Sequence, residues 1–239
     1  MKATVELPPE ITRLPGHVAI IMDGNRRWAD KQSLPRIKGH EAGLENMLRI
    51  VDYLNDYGIK YVTFFAFSTE NWNRPQHEVK ALMQLVESRI DKVAGDLHKR
   101  NIRLRHLGGL DKISLQVQNA IARAVALTRD NTGITLSLAF NYGGRSDIVH
   151  AARRLIREGV PAEAIDEELF SRYLYTDGLP DVDLLIRTGG EFRISNFLIW
   201  QSAYSEYFFS DVFWPDFDKA ALDSALLTYS RRQRRFGRL

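Results

Sequence analysis

Residues 17–28 read HVAIIMDGNRRW, and the fold turns on how this stretch is taken. Its apolar part, residues 18–22, is too short for a typical helix and lies between Pro15-Gly16 and Asp23-Gly24. A short apolar run between turn signals reads as a buried strand, and strands of a parallel sheet covered on both faces have this composition. Asp23 then falls at the carboxyl end of that strand. Open α/β sheets bind ligands in the crevice outside those ends, and a carboxylate, a flexible glycine and the guanidinium groups of Arg26 and Arg27 suit a metal-bound phosphate there. The same Asp23-Gly24-Asn25 also suits an ordinary turn in which Asp or Asn caps the next helix.

Outward from this strand the chain alternates helices and strands. A short helix over 26–32 is broken by Ser33-Leu34-Pro35, and a longer one over 39–57 carries the apolar stripe Leu44, Met47, Leu48, Val51 and Leu54. Gly58 ends it, and residues 60–67 (KYVTFFAF) form a second strand of β-branched and aromatic residues. A polar loop, residues 68–75, follows its carboxyl end. Residues 78–100 form a long amphipathic helix whose stripe (Val79, Leu82, Val86, Ile90, Val93) reads mostly as core. Strands are predicted at 101–107, 134–140, 182–186 and, briefly, 197–200, with helices at 111–128, 146–158, 163–173 and 218–235. Residues 207–213 are aromatic and resist assignment. The pattern implies an α/β fold with one mainly parallel central sheet flanked by helices. Residues 1–16, with three prolines, read as an extended lead-in to a single domain over 17–239.

The composition narrows the chemistry. With 239 residues, 44% of them apolar, the chain can bury a full core. No apolar run approaches the roughly 20 residues that span a bilayer, and the N-terminus lacks a signal-peptide core, so a soluble cytoplasmic protein is expected. No cysteine is present, so thiolate nucleophiles, disulfides and Cys-based zinc sites are excluded. Thirty-three basic residues against thirty acidic ones do not demand a nucleic-acid partner, and much of the excess lies in the terminal RRQRRFGRL. That terminus, with Arg231, Arg232, Arg234, Arg235 and Arg238, suits a solvated helix end or contact with an anionic membrane surface.

The predicted strand ends pool Asp23, Asn25, Arg26, Arg27, Ser68, Glu70, Asn71, Arg74, Arg187, Arg193 and Ser195, with Glu206 further on. So many guanidinium groups suit diphosphates, whose oxygens accept bidentate bonds, while one or two carboxylates recruit a largely hydrated Mg²⁺. Their separation into two groups hints at two diphosphates. No GxxxxGK[ST] loop, GxGxxG turn, GxSxG elbow or Asp-Asp-x-x-Asp cluster occurs, which argues against P-loop, dinucleotide, hydrolase and helical prenyltransferase chemistries.

MDGNRRW, GHEAG (residues 39–43), FFAFSTENWNRP (64–75), NYGGR (141–145) and DLLIRTGGEFRISNFLIWQSAYSEYFF (183–209) together resemble the cis-prenyltransferases, the family of undecaprenyl diphosphate synthase. The resemblance runs in order over nearly the whole chain. It implies a parallel-sheet α/β fold enclosing an apolar tunnel, a homodimer, and Mg²⁺-dependent condensation of isopentenyl diphosphate with an allylic diphosphate such as farnesyl diphosphate. By the same resemblance, Asp23 binds Mg²⁺, and Gly24, Asn25, Arg26 and Arg27 wrap the allylic diphosphate beside Trp28, Arg36 and His40. Ser68, Thr69, Glu70, Trp72 and Arg74 match further substrate contacts. Asn71 matches the proton acceptor, and Arg187, Arg193, Ile194 and Ser195 match the stretch that holds isopentenyl diphosphate. Glu206 matches a second metal ligand, which a dimer would let one chain lend to the other. Many members carry glycine where this chain has Arg26.

Physically, loss of diphosphate from an allylic carbon develops charge that Mg²⁺ and arginines stabilise. A neutral amide is a very weak base, so Asn71 reads as a positioning group, with diphosphate oxygen or water accepting the proton. His40 suits a phosphate donor, an Asp23 partner or a plain helix-surface imidazole. Trp72 suits either substrate contact or core packing. Ala66, the 79–97 stripe and residues 134–138 are candidates both for the tunnel wall and for ordinary core. A medium-to-long polyprenyl diphosphate such as undecaprenyl diphosphate, delivered to a membrane, is the expected product. A shorter-chain synthase and a non-catalytic partner subunit are the alternatives, and the presence of Asp23, Asn71 and Arg74 argues against the second.

Overall fold

The computed structural model describes residues 7–232. Strand β1 (His17–Ile21) is buried along its whole length. It is followed by α1 (Asn25–Lys31), α2 (Arg36–Asp56), β2 (Tyr61–Ser68), a 3-10 segment (Thr69–Asn73) and the long α3 (Gln76–Lys99). Next come β3 (Arg103–Leu107), α4 (Leu115–Thr128), β4 (Thr135–Tyr142), α5 (Gly144–Arg157) and α6 (Glu167–Tyr173). The described chain closes with β5 (Leu184–Arg187), β6 (Glu206–Phe209) and α7 (Lys219–Arg231).

The six strands form one sheet in the order β3-β4-β2-β1-β5-β6, every neighbouring pair parallel. From β1 the chain builds one half of the sheet through β2, β3 and β4, then crosses to build the other half with β5 and β6. Strand order therefore reverses at β1, the place where such sheets open a crevice at their carboxyl ends. In register, Ile21 lies opposite both Phe65 and Arg187, which brings the loops after β1, β2 and β5 to the same edge.

Burial accounts for the layering. On one face Ile20, Phe64 and Ile186 pack against Leu54 of α2, Leu97 of α3 and Leu226 of α7. Trp214 is fully buried there, its ring edge-on to Phe64 at 5.7 Å and its indole N–H donating to the Gly43 carbonyl at 2.7 Å. Covering such a ring removes an unusually large apolar area from water while the hydrogen bond satisfies its polar atom. On the other face Ala19 and Leu185 meet Tyr142, Phe197 and Leu198. Ile11, in the lead-in, is 4% exposed and joins the first core.

Several boundaries differ from the sequence reading. Residues 197–200 are turn, not strand: Asn196 and Leu198 have φ of 64° and 45°, a left-handed backbone that no strand adopts. Phe197 and Leu198 are apolar because they plug the sheet face, and the edge strand is supplied instead by β6 from the unassigned aromatic stretch. Helix α2 starts at Arg36, directly after Pro35, three residues before the predicted start at Gly39. The helix predicted at 218–235 is seen from Lys219 to Arg231. Arg234, Arg235 and Arg238, like residues 1–6 of the lead-in, lie outside the described residues.

Candidate active site

Asp23 and Arg187 form the centre of the carboxyl edge. Asp23 Oδ2 accepts from Arg187 Nη2 at 2.8 Å, and its Oδ1 accepts from the Gly24 N–H at 2.7 Å and from Arg27 Nη2 at 3.2 Å. Burial would raise the Asp23 pKa, but the hydrogen bond and charge of Arg187, then Arg27 and the Gly24 N–H, outweigh it and hold the carboxyl below its ordinary value. The capping reading fails, since Gly24 is the N-cap of α1 and no side chain caps that helix. Arg187, 4% exposed, also donates through Nη1 to Ser195 Oγ at 2.8 Å and to the Arg193 carbonyl, while its Nε is buried without a partner. An ionised carboxylate has about four acceptor sites; the three N–H donors leave one open on Asp23.

The loop after β2 winds into the 3-10 segment because Ser68 and Asn71 form a reciprocal capping box. Asn71 Oδ1 accepts from the Ser68 N–H at 3.1 Å, so its amide NH₂ is left as the free end, and Asn71 lines the cavity described below. Glu70 Oε1 accepts from Asn196 Nδ2 at 2.9 Å and Oε2 from Thr69 Oγ1 at 3.2 Å. Trp72 packs edge-on to Phe67 at 5.1 Å and donates to Asn141 Oδ1 at 2.7 Å, which makes it a core and anchoring residue.

A second basic group sits where α1, α2 and α3 begin. Glu78 gathers Arg26 at 3.4 Å and Arg36 at 3.2 Å, and Arg36 also reaches Asp30 at 3.2 Å. His40 faces inward: burial, then the charges of Arg74 and Arg26, opposed by Glu78, bring its pKa down to about 4. It is neutral at physiological pH, free to donate to an anion without carrying charge. Burial and the Arg26 charge also lower Arg74. An anion brought here would relieve this mutual repulsion.

Behind these groups lies a cavity of about 720 Å³. Asp23, Asn25, His40, Asn71, Arg74 and Arg187 line its polar end. Leu44 and Met47 of α2, Val86 and Ile90 of α3, Val125 of α4 and Leu138 of β4 line the rest. The α3 stripe is thus divided: Leu97 is buried core, whereas Leu82, Val86, Ile90 and Val93 are half-buried and face the cavity. Of residues 134–138, Leu138 reaches the cavity while Ile134 and Leu136 are buried in the core. A register shift in β2 leaves Ala66 unpaired between Phe65 and Phe67 and exposed in the cavity wall, as bulges beside functional sites often do.

Not every predicted residue converges. Gly24, Arg26, Arg27, Arg36, Thr69 and Trp72 do not line the cavity. Trp28 turns away to donate to Asp216 at 2.7 Å. Arg193 pairs with Glu191, and Ile194 packs against the second core. Glu206 opens β6 opposite Leu184, at the amino end of the sheet, and pairs with Arg232, so within one chain it stands away from Asp23. Among the described residues no three His, Asp or Glu side chains form a metal-binding group. Glu78, Asn196 and Asp216 were missed; only Glu78 had a local signal, an acidic residue in the first turn after Pro75.

A parallel α/β sheet whose arginine-rich edge opens into an apolar cavity suits an enzyme that binds an anionic head group with an apolar tail. The family model described as "Putative undecaprenyl diphosphate synthase" matches residues 21–237. An isoprenyl transferase of Neisseria meningitidis is 50% identical over 238 residues, covering 100% of this chain and 95% of the relative. One of Chromobacterium violaceum is 51% identical over 230 residues, covering 96% and 91%. The crystal structure of lavandulyl diphosphate synthase from Lavandula x intermedia, in complex with dimethylallyl diphosphate, superposes with a TM-score of 0.89 at 38% identity over 95% of this chain and 99% of that one. The chain therefore belongs to the undecaprenyl diphosphate synthase family and is an enzyme that transfers prenyl groups.

Proposed function

We propose that this enzyme condenses isopentenyl diphosphate with an allylic diphosphate such as farnesyl diphosphate, repeatedly and with Mg²⁺, to build a medium-to-long polyprenyl diphosphate such as undecaprenyl diphosphate. The observation that carries this reading is the cavity with arginines and Asp23 at one end and aliphatic side chains along the rest. A diphosphate head and a growing hydrocarbon tail need those two environments in that order.

The donor set fits Mg²⁺: Asp23 keeps one open acceptor site, and this ion commonly takes one or two carboxylates with substrate phosphates and water. When bound, Mg²⁺ would neutralise charge on the departing diphosphate. Arg26, Arg36 and Arg74 hold the allylic diphosphate, and His40 donates to it as a neutral imidazole. Arg187, Arg193 and Ser195 hold isopentenyl diphosphate. The C–O bond of the allylic diphosphate breaks, its C1 joins the isopentenyl unit, and a proton leaves C2 of that unit. Asn71 offers an N–H to this space because its oxygen is taken by Ser68, so Asn71 positions substrate while diphosphate oxygen or water takes the proton.

The reading includes a homodimer, in which Glu206 of a second chain would join Asp23 in holding the metal. Support comes from the edge strand β6, flanked by Phe192 and Tyr204 at 75% and 72% exposure. It also includes work in the cytoplasm and delivery of product to a membrane surface; no helix among the described residues is long and apolar enough to cross one.

Incubation with farnesyl diphosphate, labelled isopentenyl diphosphate and Mg²⁺ should give a ladder of products that ethylenediaminetetraacetate abolishes. A short endpoint would favour the second reading, a short-chain synthase, for which the likeness to lavandulyl diphosphate synthase speaks. Folded protein that extends no allylic starter would point to a non-catalytic partner.

A further inference from the structure

Asn196 stands where three pieces of the site meet. Its side-chain Nδ2 donates to Glu70 Oε1 at 2.9 Å, its Oδ1 accepts from the Arg145 N–H at 2.8 Å, and its backbone carbonyl accepts from the Gly144 N–H at 2.7 Å. The last two satisfy donors in the first turn of α5 that the helix itself cannot. The Arg145 contact also fixes the amide's orientation, because only the side-chain oxygen can accept from a backbone N–H, so the NH₂ must face Glu70.

The surroundings are built to allow this approach. A Cβ on Gly143 would lie 2.6 Å from Thr69 Oγ1 and 2.9 Å from Asn196 Nδ2, and one on Gly144 would lie 2.6 Å from Ile199 Cγ1. The glycine pair of NYGGR therefore lets the 3-10 segment and the 195–199 loop close on the start of α5. Ser195, Asn196 and Leu198 all hold left-handed φ, at 48°, 64° and 45°. Non-glycine residues persist there only when their surroundings over-determine them, and such strain gathers at functional sites.

We propose that Asn196 is a positioning residue that couples the two diphosphate subsites, tying Glu70, on the 3-10 segment that carries Asn71 and is capped by Arg74 of the allylic subsite, to the loop that carries Arg193 and Ser195. The inference rests on the prenyl-elongation reading for the identity of the two substrates. Each subsite could bind its own diphosphate without the link, but the reacting carbons would lose their alignment. Loss of the link therefore shows in kcat and not in either KM.

Asn196→Asp tests this directly. One oxygen of the introduced carboxylate keeps the α5 contact with the Arg145 N–H, while the other replaces a donor with an acceptor facing Glu70. Turnover should fall on the order of a hundredfold, the scale of a misalignment near 1 Å, with both KM values within about twofold of wild type, the additivity error of such comparisons. In a Glu70→Gln background the side chain at position 70 can itself donate to that carboxylate, so the same substitution should change kcat by no more than about twofold. The α5 contact is common to both backgrounds, so the comparison holds even if Asn196→Asp melts at a lower temperature.

An equal loss in both backgrounds, or a rise in KM with kcat retained, overturns the coupling through Glu70. An elongating wild type matched by Asn196→Asp overturns this inference alone. A wild type that extends no allylic starter overturns the functional reading and this inference with it.

Discussion

Asp23 and Arg187 meet at 2.8 Å across the seam between β1 and β5, a half-buried carboxylate against a guanidinium that is 4% exposed. The pair keeps Asp23 ionised and aims Arg187 at Ser195. Asp23→Ala should abolish detectable elongation. It should also cost about 1–3 kcal/mol of stability, because Arg187 loses its partner in a buried setting. Product analysis and urea denaturation check the two parts. Unchanged turnover would reduce Asp23 to an ion-pair partner.

Ala66 is the unpaired residue of the β2 irregularity and its side chain borders the cavity. Ala66→Leu fills space in that wall. The longest product should shorten while the first condensation keeps its rate. A product ladder unchanged in length would place the growing chain elsewhere.

His40 should make stability pH-dependent. The unfolded chain takes up this proton near the ordinary 6.5, but the folded chain only near 4. Between those values the unfolded state binds more protons, so the contribution is complete above 6.5 and is lost as pH falls toward 4. His17, His106 and His150 are also lowered, first by burial, and act in the same sense. His40→Gln should therefore flatten, not remove, the fall in unfolding free energy over this window. Equal slopes for the two proteins would mean that His40 is solvated in the folded state.

A Cβ on Gly39 would overlap the Asn25 carbonyl oxygen and lie 3.2 Å from Ala29 Cβ. Gly39→Ala must push α1 away from α2 and carry Asn25 and Arg26 with it. Overpacking of this kind costs about 1–3 kcal/mol, and KM for the allylic diphosphate should rise. A melting temperature and KM equal to wild type would show that α1 adapts freely.

Much of this enzyme was legible in residues 17–28 and their echoes. The buried run of β1, the polar loop after β2 and the Arg187 loop after β5 each declared a strand end, and parallel strands put such ends on one edge. The α3 periodicity likewise marked an apolar face. It did not reveal that Leu97 is core while Val86 and Ile90 border a cavity, because the period of a helix says which side is apolar and not what stands opposite.

Sequence by itself determined the alternation of strand and helix, the edge on which the chemistry gathers and the residue types found there, since these follow from local periodicity and turn chemistry. Tertiary structure alone decided that Arg187 pairs with Asp23, that Asn196 reaches Glu70, that Trp28 turns to Asp216 and that Glu206 stands at the opposite end of the sheet. Those outcomes depend on crossover connections, strand register and left-handed turns. Contacts between segments far apart in the chain impose all three, and no short stretch of residues encodes them.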